Sequence, residues 1–72
     1  MKLPTDVSGQ ELVKVLQRVG FVVNRQEGSH IILKRADPYA RVVPDHEHVR
    51  LGSLRNILNE AGITVERLLE LR

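Results

Sequence analysis

Residues 21–35, FVVNRQEGSHIILKR, decide the fold of this chain. Two apolar-rich runs, residues 21–26 and residues 31–35, lie on either side of a short polar segment. Glu27-Gly28 within that segment is a turn signal, and two strand-like runs joined by such a turn indicate a β-hairpin. The hairpin is therefore the element from which the rest of the fold is predicted.

The second strand of the hairpin is expected to begin at His30. Side chains alternate between the two faces of a strand, so His30, Ile32 and Lys34 should share one face. The opposite face should carry Ser29, Ile31, Leu33 and Arg35. An imidazole and an ammonium group on one face, with Arg25 across the hairpin, could bind and polarise a phosphate.

A helix is predicted before the hairpin, over residues 9–19. Ser8 and Glu11 have the spacing of a capping box. Apolar residues follow at i, i+3, i+4 and i+7, which is one stripe of a helix: Leu12, Val15, Leu16 and Val19. Gly20 is expected to end this helix in a left-handed conformation.

After the hairpin the sequence predicts a turn at residues 36–39 and a third strand at residues 40–43, ended by Pro44. Short connections between three strands imply an antiparallel meander. Residues 45–50 are polar and indicate a loop. Helical spacing resumes near Leu51 and ends at Gly62, and a short last helix is expected over residues 65–71, with Thr64 as its N-cap.

The predicted class is α+β, with the order α-β-β-β-α followed by the short terminal helix. A three-stranded antiparallel sheet with helices packed on one face would leave its other face open to a ligand. The 72 residues, 1–72, are expected to form a single domain.

The amino-acid composition excludes several kinds of site and modes of binding. The chain has no cysteine, which excludes disulfides and thiolate zinc sites. Its start lacks an apolar run of signal-peptide length and no segment is long enough to span a bilayer, which favours a cytoplasmic protein. The net charge is only +2 and the aromatic residues are one Phe and one Tyr, so any RNA contact should use phosphates and shape rather than base stacking. Such contact would be helped if four cations clustered on the sheet: Arg25, Lys34, Arg35 and Arg41.

His30 is the candidate catalytic residue. Imidazole exchanges protons near neutral pH, so it could accept a proton from a ribose 2′-hydroxyl or donate one to a leaving 5′-oxygen. The competing interpretation is a structural or surface histidine. Gly28 suits the positive φ of a turn and would also let a phosphate approach the backbone, and Ser29 is kept only as a hydrogen-bonding neighbour.

Two further sites are conceivable. His46 and His48 lie two residues apart and could bind a metal ion together with His30, although solvated loop histidines are the interpretation we favour. Arg50 and the start of the second long helix could hold a phosphate through free backbone N–H groups and the helix dipole.

Several short stretches resemble one family in the right order. The chain is similar to HicA-type toxins of HicA/HicB toxin–antitoxin systems, also called the YcfA-like family. The matching stretches are Gly9-Gln10-Glu11-Leu12, Gly20-Phe21, Gly28-Ser29-His30, Val42-Val43-Pro44, Gly52-Ser53-Leu54-Arg55-Asn56-Ile57-Leu58 and Ala61-Gly62-Ile63. One departure is the segment 46–51, HEHVRL, where the family is usually rich in lysine.

The resemblance implies a fold like the double-stranded-RNA-binding domain and a small endoribonuclease that cleaves mRNA without a metal or other cofactor. It assigns the essential strand histidine to His30 and the neighbouring glycine to Gly28. It also implies a HicB-type antitoxin as protein partner. The alternatives are a non-catalytic RNA-binding module of the same fold and a pure interaction domain that binds another protein with its open sheet face.

Overall fold

The computed structural model describes residues 2–36 and 40–72. Its helices and strands follow the predicted order: α1 (Gly9–Arg18), β1 (Val22–Glu27), β2 (His30–Lys34), β3 (Ala40–Pro44), α2 (Leu51–Ala61) and α3 (Val65–Leu71). The α+β class and the predicted elements are confirmed, with bounds that differ by a residue or two. Most of the turn predicted at 36–39 lies outside the described residues.

The three strands form one antiparallel sheet in the order β1-β2-β3, which confirms the meander. The register of β1 against β2 shifts between Val23 and Arg25, so that Asn24 forms a bulge. A bulge changes the face to which the following side chains point. As a result Val22 and Arg25, which are three residues apart, point to the same face of the sheet.

One face of the sheet is covered by the helices. Ile31, Leu33 and Val43 on this face are at most 4% exposed and belong to one core with the apolar residues of all three helices. On the opposite face His30 and Lys34 are exposed, and Ile32 between them is half-buried. The prediction of helices on one face only is confirmed, and we call the other side the open face.

The predicted helix ends are also observed. The Ser8 hydroxyl accepts a hydrogen bond from the Glu11 N–H (3.1 Å), and Thr64 caps α3 in the same way. Gly20 has a φ of 99°, and the Phe21 N–H donates to the Leu16 carbonyl (3.1 Å), which closes a Schellman motif. This motif turns the chain from α1 into the sheet.

The loop after β3 is fastened to the start of α1. The Gly9 N–H donates to the His46 carbonyl (2.9 Å), and the Val49 N–H donates to the Val7 carbonyl (2.8 Å). Gly9 approaches so closely that a Cβ atom there would overlap the carbonyl oxygen of Pro44. Glycine is therefore required at this crossing, which fixes the end of β3 that lies beside His30.

An ion-pair cluster joins the end of the chain to its beginning. Arg72 donates to both carboxylate oxygens of Glu11 (3.0 and 3.1 Å) and to Asp6 (3.2 Å). The hydrogen bond from the Arg72 guanidinium and its charge lower the pKa of Asp6 below its usual value. The cluster lies away from the open face. Among residues 2–36 and 40–72, no helix is long and apolar enough to cross a membrane.

Candidate active site

The hairpin turn consists of two residues, Gly28 and Ser29, between the paired residues Glu27 and His30. Gly28 has a φ of 61° and Ser29 has a negative φ. This combination is typical of a type II′ turn, which matches the twist of a hairpin and favours glycine at its first position. Gly28 is thus explained by backbone conformation, and no atom lies within 4 Å of where its Cβ would be.

Hydrogen bonds hold this turn against β3 and α1. The Asp45 N–H donates to the Ser29 carbonyl (2.7 Å), and the Gln26 amide donates to the Gly28 carbonyl (3.0 Å). The Asp45 carboxylate accepts from the amides of Gln26 (3.2 Å) and Gln10 (3.0 Å). These contacts restrict the strand end from which His30 projects.

Sequence reasoning missed Gln10, Gln26 and Asp45 as members of the site. They are polar residues 16 to 35 positions apart, and no local spacing connects them. Only the position of Asp45 directly after β3, opposite the hairpin turn, could have suggested its role.

His30 lies at the start of β2, exposed on the open face, with Glu27 opposite it on β1 and Pro44 opposite it on β3. No side chain of the described residues hydrogen-bonds its imidazole. The central strand therefore positions the backbone of His30, while both ring nitrogens are accessible to a ligand.

Arg25 also points to the open face. Arg25 pairs with Ile32, two residues along the strands from the Glu27–His30 pair, and therefore shares the face of His30. Its guanidinium donates to the Glu27 carboxylate (2.6 Å) and to the Asn24 amide oxygen (3.1 Å). Arg25 and Glu27 remain more than half exposed, so this pair is accessible to a charged ligand.

Lys34 shares the open face with His30, as alternation predicts, but the two side chains are not adjacent. Lys34 pairs with Val22 and Ala40 at the far end of β2. The α-carbons of His30 and Lys34 are four residue steps apart along the strand, a distance of about 13 Å. Lys34 and His30 therefore suit different phosphates of one RNA strand rather than a single phosphate.

The four cations considered from the sequence do not cluster on one face of the sheet. Arg35 stacks on Phe21, with its guanidinium carbon 4.6 Å from the ring centroid. Arg41 lies opposite Leu33 and donates to the Glu60 carbonyl of α2 (2.9 Å). These two arginines therefore support the covered side, and of the four only Arg25 and Lys34 belong to the open face.

Arg50 immediately precedes α2 and is exposed. Its side chain makes no cap hydrogen bond, and no hydrogen bond or ion pair between described residues joins it to the hairpin. Arg50 stays a predicted phosphate contact, separate from the hairpin that carries His30. Ser53, which could have capped this helix, lies inside its first turn.

The histidines do not assemble into a metal site. His46 and His48 are exposed in the loop between β3 and α2. Within the part of the chain that the structure describes, no three His, Asp or Glu side chains lie close enough together to hold an ion. The conceivable group of His30, His46 and His48 is therefore not formed.

The chain was compared with known protein families and curated proteins. Residues 9–63 match the family model described as "HicA toxin of bacterial toxin-antitoxin". No curated protein matches the chain. The matched range includes α1, the whole sheet and α2, and it contains the hairpin that carries His30. On this match, the chain belongs to the HicA toxin family, the toxin components of bacterial toxin–antitoxin systems.

Proposed function

We propose that this toxin is an endoribonuclease that cleaves mRNA with His30 as a proton-transfer group and without a metal. HicA family toxins are generally ribonucleases, which supports a nuclease. The observation that carries the proposal is the placement of His30: an exposed imidazole on the central strand, on the face that no helix covers. Imidazole can both give and take a proton near neutral pH.

The proposed reaction is in-line attack of the ribose 2′-oxygen on the adjacent phosphorus. The bond from phosphorus to the 5′-oxygen breaks, which leaves a 2′,3′-cyclic phosphate on one product and a 5′-hydroxyl on the other. His30 transfers one of the two protons, and Arg25 stabilises the charge on the non-bridging oxygens. The substrate supplies its own nucleophile, so the scheme needs no metal-bound water.

The RNA strand is proposed to cross the open face. Gly28 leaves space beside the turn, Ser29 supplies a hydrogen-bonding neighbour, and Lys34 lies about 13 Å along β2, where a neighbouring phosphate could bind. Arg50 would contact the chain outside the sheet. Binding through phosphates predicts an affinity that falls with salt.

A HicB-type antitoxin is the proposed protein partner, acting in the cytoplasm. The open face carries Val22, which is 67% exposed, and Val42, which is 50% exposed. Both lie on the same side of the sheet as His30, as the register of the strands requires. A protein that buried these valines would cover His30 at the same time, which would explain neutralisation.

The test compares wild type, His30→Ala and His46→Ala. The His46 variant is the matched control, because it removes an exposed imidazole from the loop rather than from the sheet. Each protein is first expressed alone to score toxicity, then incubated with a defined mRNA in EDTA after circular dichroism has verified its fold. We expect toxicity and cleavage from wild type and His46→Ala, and neither from His30→Ala.

Equal cleavage by wild type and folded His30→Ala would remove His30 from the mechanism. Loss of all cleavage in EDTA, with recovery on adding Mg²⁺, would replace the proposal with a metal-dependent one.

A non-catalytic RNA-binding module is the second candidate. It is favoured by one observation, that no side chain of the described residues orients the imidazole of His30, whereas catalytic bases are often oriented by a third group. This candidate predicts that wild type and His30→Ala bind RNA equally in fluorescence anisotropy and that neither cleaves it. Cleavage by wild type alone excludes it.

A further inference from the structure

Glu27 is the ionisable one of the two residues that pair directly with His30, the other being Pro44. Glu27 and His30 are direct partners across the β1–β2 ladder, so both point to the open face. Direct cross-strand partners hold their Cβ atoms about 4.5–5.5 Å apart. The Glu27 side chain is 58% exposed, so an RNA strand that reaches His30 also reaches this carboxylate.

In-line cleavage of RNA needs two proton transfers at opposite sides of one phosphorus. A proton must leave the 2′-oxygen as it attacks, and a proton must reach the 5′-oxygen as it departs. A single imidazole cannot serve both positions in one displacement. The mechanism proposed above therefore requires a second group within reach of the same phosphorus.

We propose that Glu27 is this second catalytic residue, the general base, and that His30 is the general acid. The inference rests on the proposed ribonuclease function. The assignment follows from chemistry: an ionised carboxylate only accepts protons, whereas an imidazolium can donate one near neutral pH. Two side chains on one rung of adjacent strands can lie on opposite sides of one phosphorus.

The step balances in atoms and charge. The Glu27 carboxylate takes the proton of the 2′-hydroxyl, and the 2′-oxygen forms a bond to phosphorus. The bond between phosphorus and the 5′-oxygen breaks, and the His30 imidazolium gives its proton to that oxygen. Exchange with water then returns Glu27 to the carboxylate and His30 to the imidazolium.

The Arg25 contact orients the carboxylate for this role. The Arg25 Nε donates to Glu27 Oε2 at 2.6 Å, and Oε1 accepts no hydrogen bond from the described residues. One oxygen is thus held while the other can accept the 2′-proton. Glu27 pairs with His30 across the turn, and Arg25 lies on the same face by strand alternation, so the three groups form a compact acid, base and cation set.

The competing explanation is a surface ion pair in which Glu27 merely screens Arg25. The two explanations predict opposite effects for Glu27→Gln. This variant can still accept a hydrogen bond from Arg25 but cannot take the proton, so a base role predicts a fall in kcat of about 10²- to 10⁴-fold. Screening predicts tighter RNA binding and faster cleavage, because Arg25 would be freed for phosphate.

The experiment uses two substrates: a dinucleotide and uridine 3′-(4-nitrophenyl phosphate), whose leaving group departs without a proton. Wild type, Glu27→Gln, His30→Ala and the control Glu47→Gln are compared, with circular dichroism of each. Glu47 is an exposed carboxylate of the loop after β3. We expect Glu27→Gln to be impaired on both substrates, His30→Ala on the dinucleotide only, and Glu47→Gln on neither.

The pH profile gives an independent readout. Wild type should lose rate at acidic pH as the base is protonated and at alkaline pH as the acid is lost. Glu27→Gln should lack the acidic limb of this profile.

Each other outcome is decisive. Wild-type or faster cleavage by Glu27→Gln, beside an inactive His30→Ala, overturns the inference and leaves the proposed function standing. Cleavage of the dinucleotide by His30→Ala at the wild-type rate overturns the proposed function. A wild type that cleaves neither these substrates nor the defined mRNA overturns both.

Discussion

The two faces of the sheet separate the buried core from the proposed reaction site along a single strand. In β2, Ile31 and Leu33 are 4% and 0% exposed and pack under the helices, whereas His30 and Lys34 point to solvent. The covered face holds the buried apolar residues of the sheet. The open face carries ionisable groups that the fold does not need. A five-residue strand thus holds the core and presents the site, and substitutions at adjacent positions should have unlike effects.

The largest effect on stability is expected at Leu33. Leu33→Ala leaves a cavity in the core and should lower the free energy of unfolding by about 2–5 kcal/mol. Lys34→Ala, the next residue on the open face, should change it by no more than about 0.5 kcal/mol while weakening RNA binding. Urea unfolding of both variants measures the contrast. Equal losses would contradict the division between the faces.

Gly9 tests the contact that fixes the end of β3. A Cβ there overlaps backbone rather than a flexible side chain, so Gly9→Ala should cost about 1–3 kcal/mol. Cleavage should also fall, because Pro44 and Asp45 pair with His30 and Ser29. The control is Gly52→Ala in α2, which meets no atom within 4 Å and should stabilise by about 0.5–1 kcal/mol. Thermal unfolding at one pH compares the stabilities of the two variants. A Gly9→Ala variant as stable as wild type would refute the close approach.

Gly28 and Gly62 allow backbone strain to be compared at two places. Both have a left-handed φ, 61° and 74°, and open space around the missing Cβ. Alanine in the left-handed helical conformation of Gly62 should cost about 1–2 kcal/mol. Alanine at Gly28 should cost more, because the first position of a type II′ turn is still less accessible to a residue with a Cβ atom. Only Gly28→Ala should reduce RNA cleavage, since Gly62 ends α2 on the helical side. An equal loss of cleavage in folded Gly62→Ala would contradict this, because it would mean that a change on the helical side affects the open face.

The smallest effect concerns the ion pairs between Asp6 and Arg72. Because Arg72 lowers the pKa of Asp6, the stabilisation is fully present above the ordinary value of 3.8 and is lost as pH falls through the lowered pKa. Asp6→Asn should be less stable than wild type at neutral pH, and the difference should vanish in acid. Cleavage at neutral pH should be unaffected. A difference in stability that persists below the lowered pKa would assign it to something other than this charge.

Much of the fold could be predicted because its determinants are local. Alternation in β2, the Ser8 cap and Gly20 each act over a few residues, and the structure has them where the sequence indicates. Alternation also separates Arg35 from Lys34, whereas the tertiary partners of Arg35 and Arg41, the Phe21 ring and the Glu60 carbonyl of α2, could not be predicted from local pattern.

The candidate site was less predictable for the same reason. Its hairpin and His30 follow from local pattern. The bulge at Asn24, however, reverses the alternation of β1, and only the register against β2 reveals that Val22 rather than Val23 lies on the face of His30. The hydrogen bonds that fasten the turn join residues distant in sequence.

The most direct test of the central claim is the identity of the RNA ends. Wild-type protein is incubated with a defined mRNA in EDTA, and the products are analysed by mass spectrometry. Proton transfer by side chains of the open face predicts 2′,3′-cyclic phosphate and 5′-hydroxyl ends. Products that carry only 3′-hydroxyl and 5′-phosphate ends would contradict it, because the 2′-oxygen would then not have been the nucleophile.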